Sequence, residues 1–205
     1  MAFRFRLLIF NIQGVMMRAC LIAAILVIAQ CAWADVDSGP TPGEKVPPLK
    51  VLAVVVDGET KESENKETQA DLSKERAEKP TLYLFVRADR FTRPVARTMK
   101  TLDQEVDKLG GETKLVAVWL TDDKQKTKDY LPTAQRVLDF DATTLALHPD
   151  LTTGPEHWGI NSDADLTVVV TGDKKVAARF GFVAPNERVT RQVLAELKKV
   201  AKKKP

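Results

Sequence analysis

Residues 80–109, PTLYLFVRADRFTRPVARTMKTLDQEVDKL, contain the pattern that decides the fold. The first part, Thr81–Val86, is a run of apolar and aromatic residues, and it predicts a buried strand. Apolar residues then recur in steps of four and three, which is the spacing of one face of an amphipathic helix. We predict this helix over Pro94–Leu109, because proline suits a first turn and Gly110-Gly111 stops the pattern.

Similar strand and helix patterns lie on both sides of this stretch. Residues 57–79 are charged and are predicted as a solvated loop with at most one helical turn, whereas residues 139–163 contain several breakers and are predicted as irregular. The element order β-β-α-β-α-β-β-α predicts an α/β fold. The further strands are predicted at Val51–Val56, Leu115–Leu120, Leu166–Val170 and Val176–Phe180, and the further helices from Asp122-Asp123 to Leu138 and from Asn186 or Thr190 to Lys202. The inward side chains of the second helix are predicted to be Tyr130, Leu131, Ala134, Val137 and Leu138.

The N-terminal residues have the character of an export signal. The apolar run at residues 19–30, ACLIAAILVIAQ, follows Arg18 and precedes Ala32-Trp33-Ala34, the small-x-small pattern that a signal peptidase reads. It is shorter than the roughly 20 residues that a spanning helix needs. We therefore predict a signal peptide at residues 1–34, with an uncleaved anchor as the open alternative. The start of translation is open between Met1, Met16 and Met17.

The excess charge lies in the same segment. The chain has 31 basic and 28 acidic side chains and a formal net charge of +3. Residues 1–34 contain three arginines and no acidic residue, so the remainder is neutral, and both cysteines, Cys20 and Cys31, also lie there. A mature chain that begins at Asp35 would contain no cysteine. This composition argues against disulfides, thiol nucleophiles, zinc–thiolate sites and a strongly cationic nucleic-acid binder. Residues 35–48, with four prolines and two glycines, are predicted as a mobile leader, and residues 49–205 as a single domain.

Three short motifs resemble those of the thioredoxin-like superfamily. Lys79-Pro80 with the strand that follows resembles the central strand of thioredoxin-like oxidoreductases, and Gly43–Leu49 resembles the leader of their exported thiol-disulfide oxidoreductase and peroxiredoxin branches. Trp158-Gly159-Ile160 is similar to an aromatic-Gly-Val motif of the family. The resemblance covers most of residues 43–202. It implies a thioredoxin-like fold, in which helices flank a central mixed sheet.

The resemblance also indicates where the redox site of that family would lie. Its chemistry needs a thiolate at the N-terminus of the helix after the central strand, where the helix dipole lowers the pKa of the thiol. The two positions of the Cys-x-x-Cys motif fall on Arg90 and Arg93, and an arginine side chain stays protonated and cannot be a nucleophile. The position of the family's cis-proline, which faces that motif, falls on Ala164. The resemblance therefore implies the fold without thiol-disulfide oxidoreductase or peroxidase activity.

An arginine cluster at the start of the first long helix is the best-located candidate binding site. Guanidinium groups beside helix N–H donors can bind an anion or a carboxylate, whereas the alternative is a solvated positive edge. The cluster consists of Arg87, Arg90, Arg93 and Arg97. The two histidines, His148 and His157, match no established spacing of metal ligands. We predict no metal site, no cofactor and no catalytic residue, and we interpret Asp122-Asp123 as a helix N-cap.

These observations favour an exported, redox-inactive domain that binds or holds a partner in the periplasm or outside the cell. We expect an unidentified protein partner, no nucleic acid, and contact with a membrane only if the signal is uncleaved. Two alternatives stay open. One is a non-thiol enzyme or small-anion-binding protein that uses the arginine cluster, and the other is a signal-anchored accessory protein of a membrane.

Overall fold

A computed structural model describes residues 36–56, 59–62, 70–150 and 153–202. The predicted signal peptide and both cysteines lie outside the described residues. In these described ranges, nine strands form a seven-stranded mixed sheet and a separate two-stranded sheet. The strands are β1 (Lys50–Val51), β2 (Ala53–Val56), β3 (Glu59–Glu62), β4 (Ala70–Asp71), β5 (Thr81–Arg87), β6 (Lys114–Leu120), β7 (Thr143–His148), β8 (Leu166–Gly172) and β9 (Lys175–Phe182).

The large sheet has the order β3-β2-β7-β6-β5-β8-β9. Its centre consists of β5, β6 and β7, which run parallel, while β8 and β9 form an antiparallel hairpin beside β5. At the other edge, β2 pairs antiparallel with β7 and β3 pairs antiparallel with β2. The strands β1 and β4 form the two-stranded sheet. The predicted α/β fold with a central mixed sheet is therefore confirmed.

In the part of the chain that the structure describes, four helices accompany the sheet: α1 (Leu72–Glu75), α2 (Arg93–Leu109), α3 (Lys124–Leu138) and α4 (Glu187–Lys202). A 3₁₀ turn, Ala88–Arg90, connects β5 to α2. Helix α2 carries proline in its first turn and ends at Gly110, where φ is 62°. Helix α3 begins after Asp123, whose side chain accepts a hydrogen bond from the Lys126 N–H as the predicted N-cap does. Within the described residues, no helix is both long and apolar enough to cross a bilayer.

Two clusters of buried apolar side chains cover the two faces of the large sheet. The larger cluster joins the sheet to α2, α3 and α4, through residues such as Met99, Leu131 and Leu197. The smaller cluster lies on the opposite face, where Trp158 packs against Tyr83 and Phe85 with ring centroids 5.2 and 4.8 Å apart. Because successive side chains of a strand point to opposite faces, the continuous apolar run of β5 supplies both clusters.

The predictions for three segments were wrong. Residues 139–163 were predicted as irregular, but Thr143–His148 form strand β7, because the loop before it is fixed by a buried carboxylate on α2. The predicted solvated loop at 57–79 contains the strands β3 and β4 among its described residues, whereas the short helix α1 agrees with the single helical turn allowed there. Residues 36–48 are not a mobile leader, because their backbone pairs with β9 and Ser38 is buried against Thr167 at 2.6 Å.

The inward face of α3 also differs from the prediction. Val137 is 72% exposed and Tyr130 is 42% exposed, although both were predicted to face inwards. The buried stripe instead contains Thr127, Leu131 and Ala134. These positions follow the steps of four and three that one helix face requires, whereas Tyr130 and Val137 lie beside that stripe.

Candidate functional site

The candidate site begins at the carboxyl ends of the parallel strands β5 and β6. In open α/β sheets, ligands bind in the crevice outside these strand ends, where loops and helix N-termini meet. Here β5 leads through the 3₁₀ turn into α2, so the arginine cluster of the sequence falls at this edge. Strand β8 lies beside β5, and the loop before it brings Asp163 and Asp165 to the same edge.

Arg87 is a buried structural link in this region. Its Nε and Nη2 atoms donate to the two carboxylate oxygens of Asp89 at 3.1 and 3.0 Å, and Nη1 donates to the Ser162 carbonyl at 3.1 Å. The hydrogen bond from Arg87 is the main cause that lowers the pKa of the Asp89 carboxyl, with burial opposing it. A bidentate pair of this kind fixes both groups in one geometry. Arg87 therefore joins the end of β5 to the loop before β8.

Arg90 lies beside the Ala164 segment, where the resemblance would place a cis-proline. Its Nη1 atom lies 3.3 Å from Oδ1 of Asp165 and 3.4 Å from the carbonyl of Asp163. Ala164, between these two residues, is buried and donates its N–H to the Asn161 carbonyl at 3.1 Å. The structure thus brings Arg90 and the Ala164 segment together through an ion pair and backbone contacts.

Arg93 and Arg97 point to a different place. Both are exposed and line a groove between α2 and α4, with a volume of about 1080 Å³. The four predicted arginines therefore divide into two pairs. Arg87 and Arg90 already have carboxylate partners, and Arg93 and Arg97 belong to the groove.

Helix α4 adds two further cations to this groove, Arg191 and Lys198. Sequence reasoning did not include them, because nothing in a single sequence shows that α4 packs beside α2. The only acidic side chain among the lining residues with described side chains is Glu105. A hydrogen bond from Lys108, at 2.7 Å, is the first cause that lowers the pKa of Glu105, and the charge of Lys198 adds to it. The groove therefore has a net positive lining, although residues 35–205 as a whole carry no net charge.

A second recess, of about 450 Å³, lies at the end of β6. The Phe91 ring packs at an angle against two other aromatic rings: its centroid lies 5.4 Å from that of Trp119 and 6.3 Å from that of Tyr130. Asp122 and the N-cap Asp123 lie at its rim. The aromatic side chains were not predicted as a group, since they come from three separate elements.

The two histidines have different surroundings. His157 is exposed and has a φ of 65°, and its Nε2 atom lies 3.3 Å from Oε1 of Glu156. His148 ends β7, and burial lowers the pKa of its imidazole, while the charge of Asp150 opposes this effect. Across the described ranges, no group of three or more His, Cys, Asp or Glu side chains is arranged to hold a metal ion.

Comparison with solved structures extends over most of the chain. A DsbF homologue from Corynebacterium diphtheriae aligns with a TM-score of 0.55 and 11% identity, over 83% of this chain and 98% of that one. A putative thiol:disulfide interchange protein DsbE from Chlorobium tepidum aligns with a TM-score of 0.52 and 16% identity, over 82% of this chain and 99% of that one. For a thiol peroxidase from Chromobacterium violaceum, the TM-score is 0.51 and the identity 12%, over 81% of this chain and 90% of that one.

Comparisons by sequence gave a different result. No protein-family model matches the chain, and no curated protein matches it either. Likeness at 11–16% identity shows a shared fold, and the residues at the start of α2 must be assessed on their own chemistry. The sheet order, the hairpin with its closing helix and these structural neighbours agree: the chain has a thioredoxin-like fold.

Proposed function

We propose that this chain is an exported, redox-inactive thioredoxin-like domain that serves as a binding module for a protein partner. The observation that carries the proposal is the chemistry at the start of α2. Arg90, paired with Asp165, and Arg93 stand where the resemblance places the two redox thiols. Residues 36–202 contain no cysteine, so this corner offers no thiolate.

The local structure supports a binding role over catalysis at this corner. A disulfide exchange centre needs a nucleophile whose pKa is lowered by its surroundings and an open path for its substrate. Arg90 instead forms an ion pair with Asp165, and Arg87 donates to the Ser162 carbonyl. These contacts tie the segment between β5 and α2 to the loop before β8, which stiffens the corner. A rigid scaffold with an adjacent groove is suited to hold a partner.

A redox assay tests the inactive part of the proposal. The purified chain is added to insulin with dithiothreitol, and to hydrogen peroxide with a thiol donor, beside an active thioredoxin as reference. We expect rates equal to those without protein. Turnover at enzyme-like rates would show that the proposal is wrong.

The export part rests on the N-terminal pattern and is tested separately. N-terminal sequencing of the native protein from the cell envelope or medium should begin at Asp35, directly after Ala34. A protein that keeps residues 1–34 and stays with the membrane would support the anchored alternative instead.

A further inference from the structure

The α2–α4 groove contains an unusual concentration of unpaired positive charge. Arg93, Arg97 and Arg191 are exposed and have no ion pair with any other residue in the described part of the chain. Elsewhere on the surface, cations commonly have close partners, such as Lys128 with Glu62 at 2.7 Å and Arg179 with Asp37 at 2.6 Å. Three guanidinium groups beside one groove therefore leave a local field that an acidic ligand would compensate.

The groove also has an apolar floor. Leu194 and Pro185 are buried and line it together with the exposed Pro94, and Leu194 is only 7% exposed. An apolar floor with a charged rim resembles the centre and edge of a protein interface. A ligand that matched both would need apolar groups between its acidic groups.

The dimensions of the groove favour a polypeptide over a small anion. Its lining extends along α2 from Arg93 to Glu105, about 18 Å at 1.5 Å per residue. On α4, Arg191 and Lys198 are about 10 Å apart by the same rise. One phosphate or sulfate cannot contact charges so widely spaced. An extended peptide of about five residues, or a helix of about 12, would span the groove.

Two features disfavour nucleic acid as the occupant. No aromatic side chain lines the groove among the residues found there, so stacking of bases has no platform. The chain after residue 34 has no net charge, whereas proteins that bind nucleic acid usually carry an extended basic surface.

From these observations we infer that the α2–α4 groove binds an acidic polypeptide segment of a partner protein. Carboxylates of the segment lie against Arg93, Arg97 and Arg191, and its apolar side chains lie against Leu194. This inference rests on the proposed function, since it names the chemistry of the partner that the binding module holds. The N-terminal ends of α2 and α4 lie at the same end of the groove, which adds to its attraction for carboxylates there.

The test uses fluorescence anisotropy of a fluorescein-labelled amphipathic Glu/Leu peptide, about 12 residues long to span the groove as a helix. The full chain should bind this peptide with an affinity that falls as salt is raised, because the rim charges are exposed. The double substitution Arg93→Glu with Arg191→Glu should weaken binding by about tenfold or more. A peptide of the same length with Lys in place of Glu should not bind.

The matched control is Lys50→Glu, which reverses an exposed cation on β1, next to the smaller core on the opposite face of the sheet. This variant should bind as the wild type does. Thermal melts must show that every variant is folded, and Arg93→Gln with Arg191→Gln replaces the charge reversal if the latter unfolds. Equal affinities for the wild type and the double variant would overturn the inference.

Other occupants give distinct results. Stabilisation by inorganic phosphate without peptide binding would identify a small-anion site, and retention on phosphatidylserine vesicles without peptide binding would identify a membrane surface. Self-association that the double variant abolishes would identify a second copy of this chain. Each of these results would overturn the inference and leave the redox assay unaffected, whereas disulfide turnover would overturn the proposed function and leave the peptide result standing.

Discussion

Asp103 offers a stringent test of the fold, because it is a fully buried carboxylate in the middle of α2. Its Oδ1 atom accepts hydrogen bonds from the Ala142 N–H at 3.0 Å and the Thr143 hydroxyl at 2.6 Å, and Oδ2 accepts from the Asp141 N–H at 3.2 Å. These bonds fix the loop between α3 and β7. The Asp103 side chain lies in the interior with 0% exposure.

The substitution Asp103→Ala should lower the free energy of unfolding by about 3–5 kcal/mol. A hydrogen bond to a charged group contributes about 1.5–3 kcal/mol, and the donors left behind, of which two lie in buried residues, lose their partner without gaining water. The three hydrogen bonds together would contribute more than about 3–5 kcal/mol, but the substitution also removes the cost of burying the carboxylate. The expected net loss is therefore smaller than the sum of the three bonds. The assay is urea unfolding followed by circular dichroism.

The control for this prediction is Asp107→Ala, one turn later on the same helix. Asp107 is exposed, and its replacement should change the free energy of unfolding by no more than about 0.5 kcal/mol. A loss below about 1 kcal/mol for Asp103→Ala, with the control unchanged, would refute the reasoning that this carboxylate holds the loop before β7.

Three further predictions follow from individual contacts. Burial lowers the pKa of His148 below 6.5, so the folded chain binds a proton at this imidazole less tightly than the unfolded chain does. The free energy of unfolding should therefore fall as the pH drops below 6.5. In urea melts, His148→Gln should remove this part of the pH dependence. Arg87→Met should raise the pKa of Asp89 towards its ordinary value, as NMR titration would show, and an unchanged pKa would contradict the observed pair. Gly181→Ala should release residues 36–38, since a Cβ would lie 2.5 Å from the Val36 carbonyl oxygen; limited proteolysis should then cleave this segment faster than in the wild type.

The fold could be predicted in those segments where the hydrophobic pattern of the sequence selects the same side chains that the structure buries. Thr81–Val86 and the stripe from Val95 to Leu109 agree with β5 and α2 to within a residue, because both segments bury the residues that their periodicity selects. The strands at Leu166–Val170 and Val176–Phe180 were also predicted, and the turn between β8 and β9 lies at Asp173 and Lys174, which both have positive φ. Such two-residue turns follow the right-handed twist of the strands they join.

The errors arise where distant residues decide the structure. The strand β7 is short and lies among turn residues, and its position depends on hydrogen bonds that Ala142 and Thr143, at its start, donate to Asp103, some 40 residues earlier. The same holds for residues 36–48, whose proline and glycine content predicted mobility although β9 and Thr167 bind them. Local composition cannot show contacts of this range.

The candidate site shows the same division. The resemblance predicts that Arg90 lies opposite Ala164, and Arg90 forms an ion pair with Asp165, the residue that follows Ala164. The sequence did not reveal that Arg93 and Arg97 turn towards α4, or that Arg191 and Lys198 complete the groove. That arrangement depends on helix packing, which no local pattern specifies.

Insulin reduction by the purified full chain, compared with its Cys20→Ser, Cys31→Ser double variant, tests the central claim most directly. These are the only two cysteines, so any thiol chemistry of the chain must pass through them. The account predicts that both proteins leave the rate of insulin precipitation at the level of dithiothreitol alone. A wild type that accelerates the reaction, together with a double variant that does not, would contradict the account.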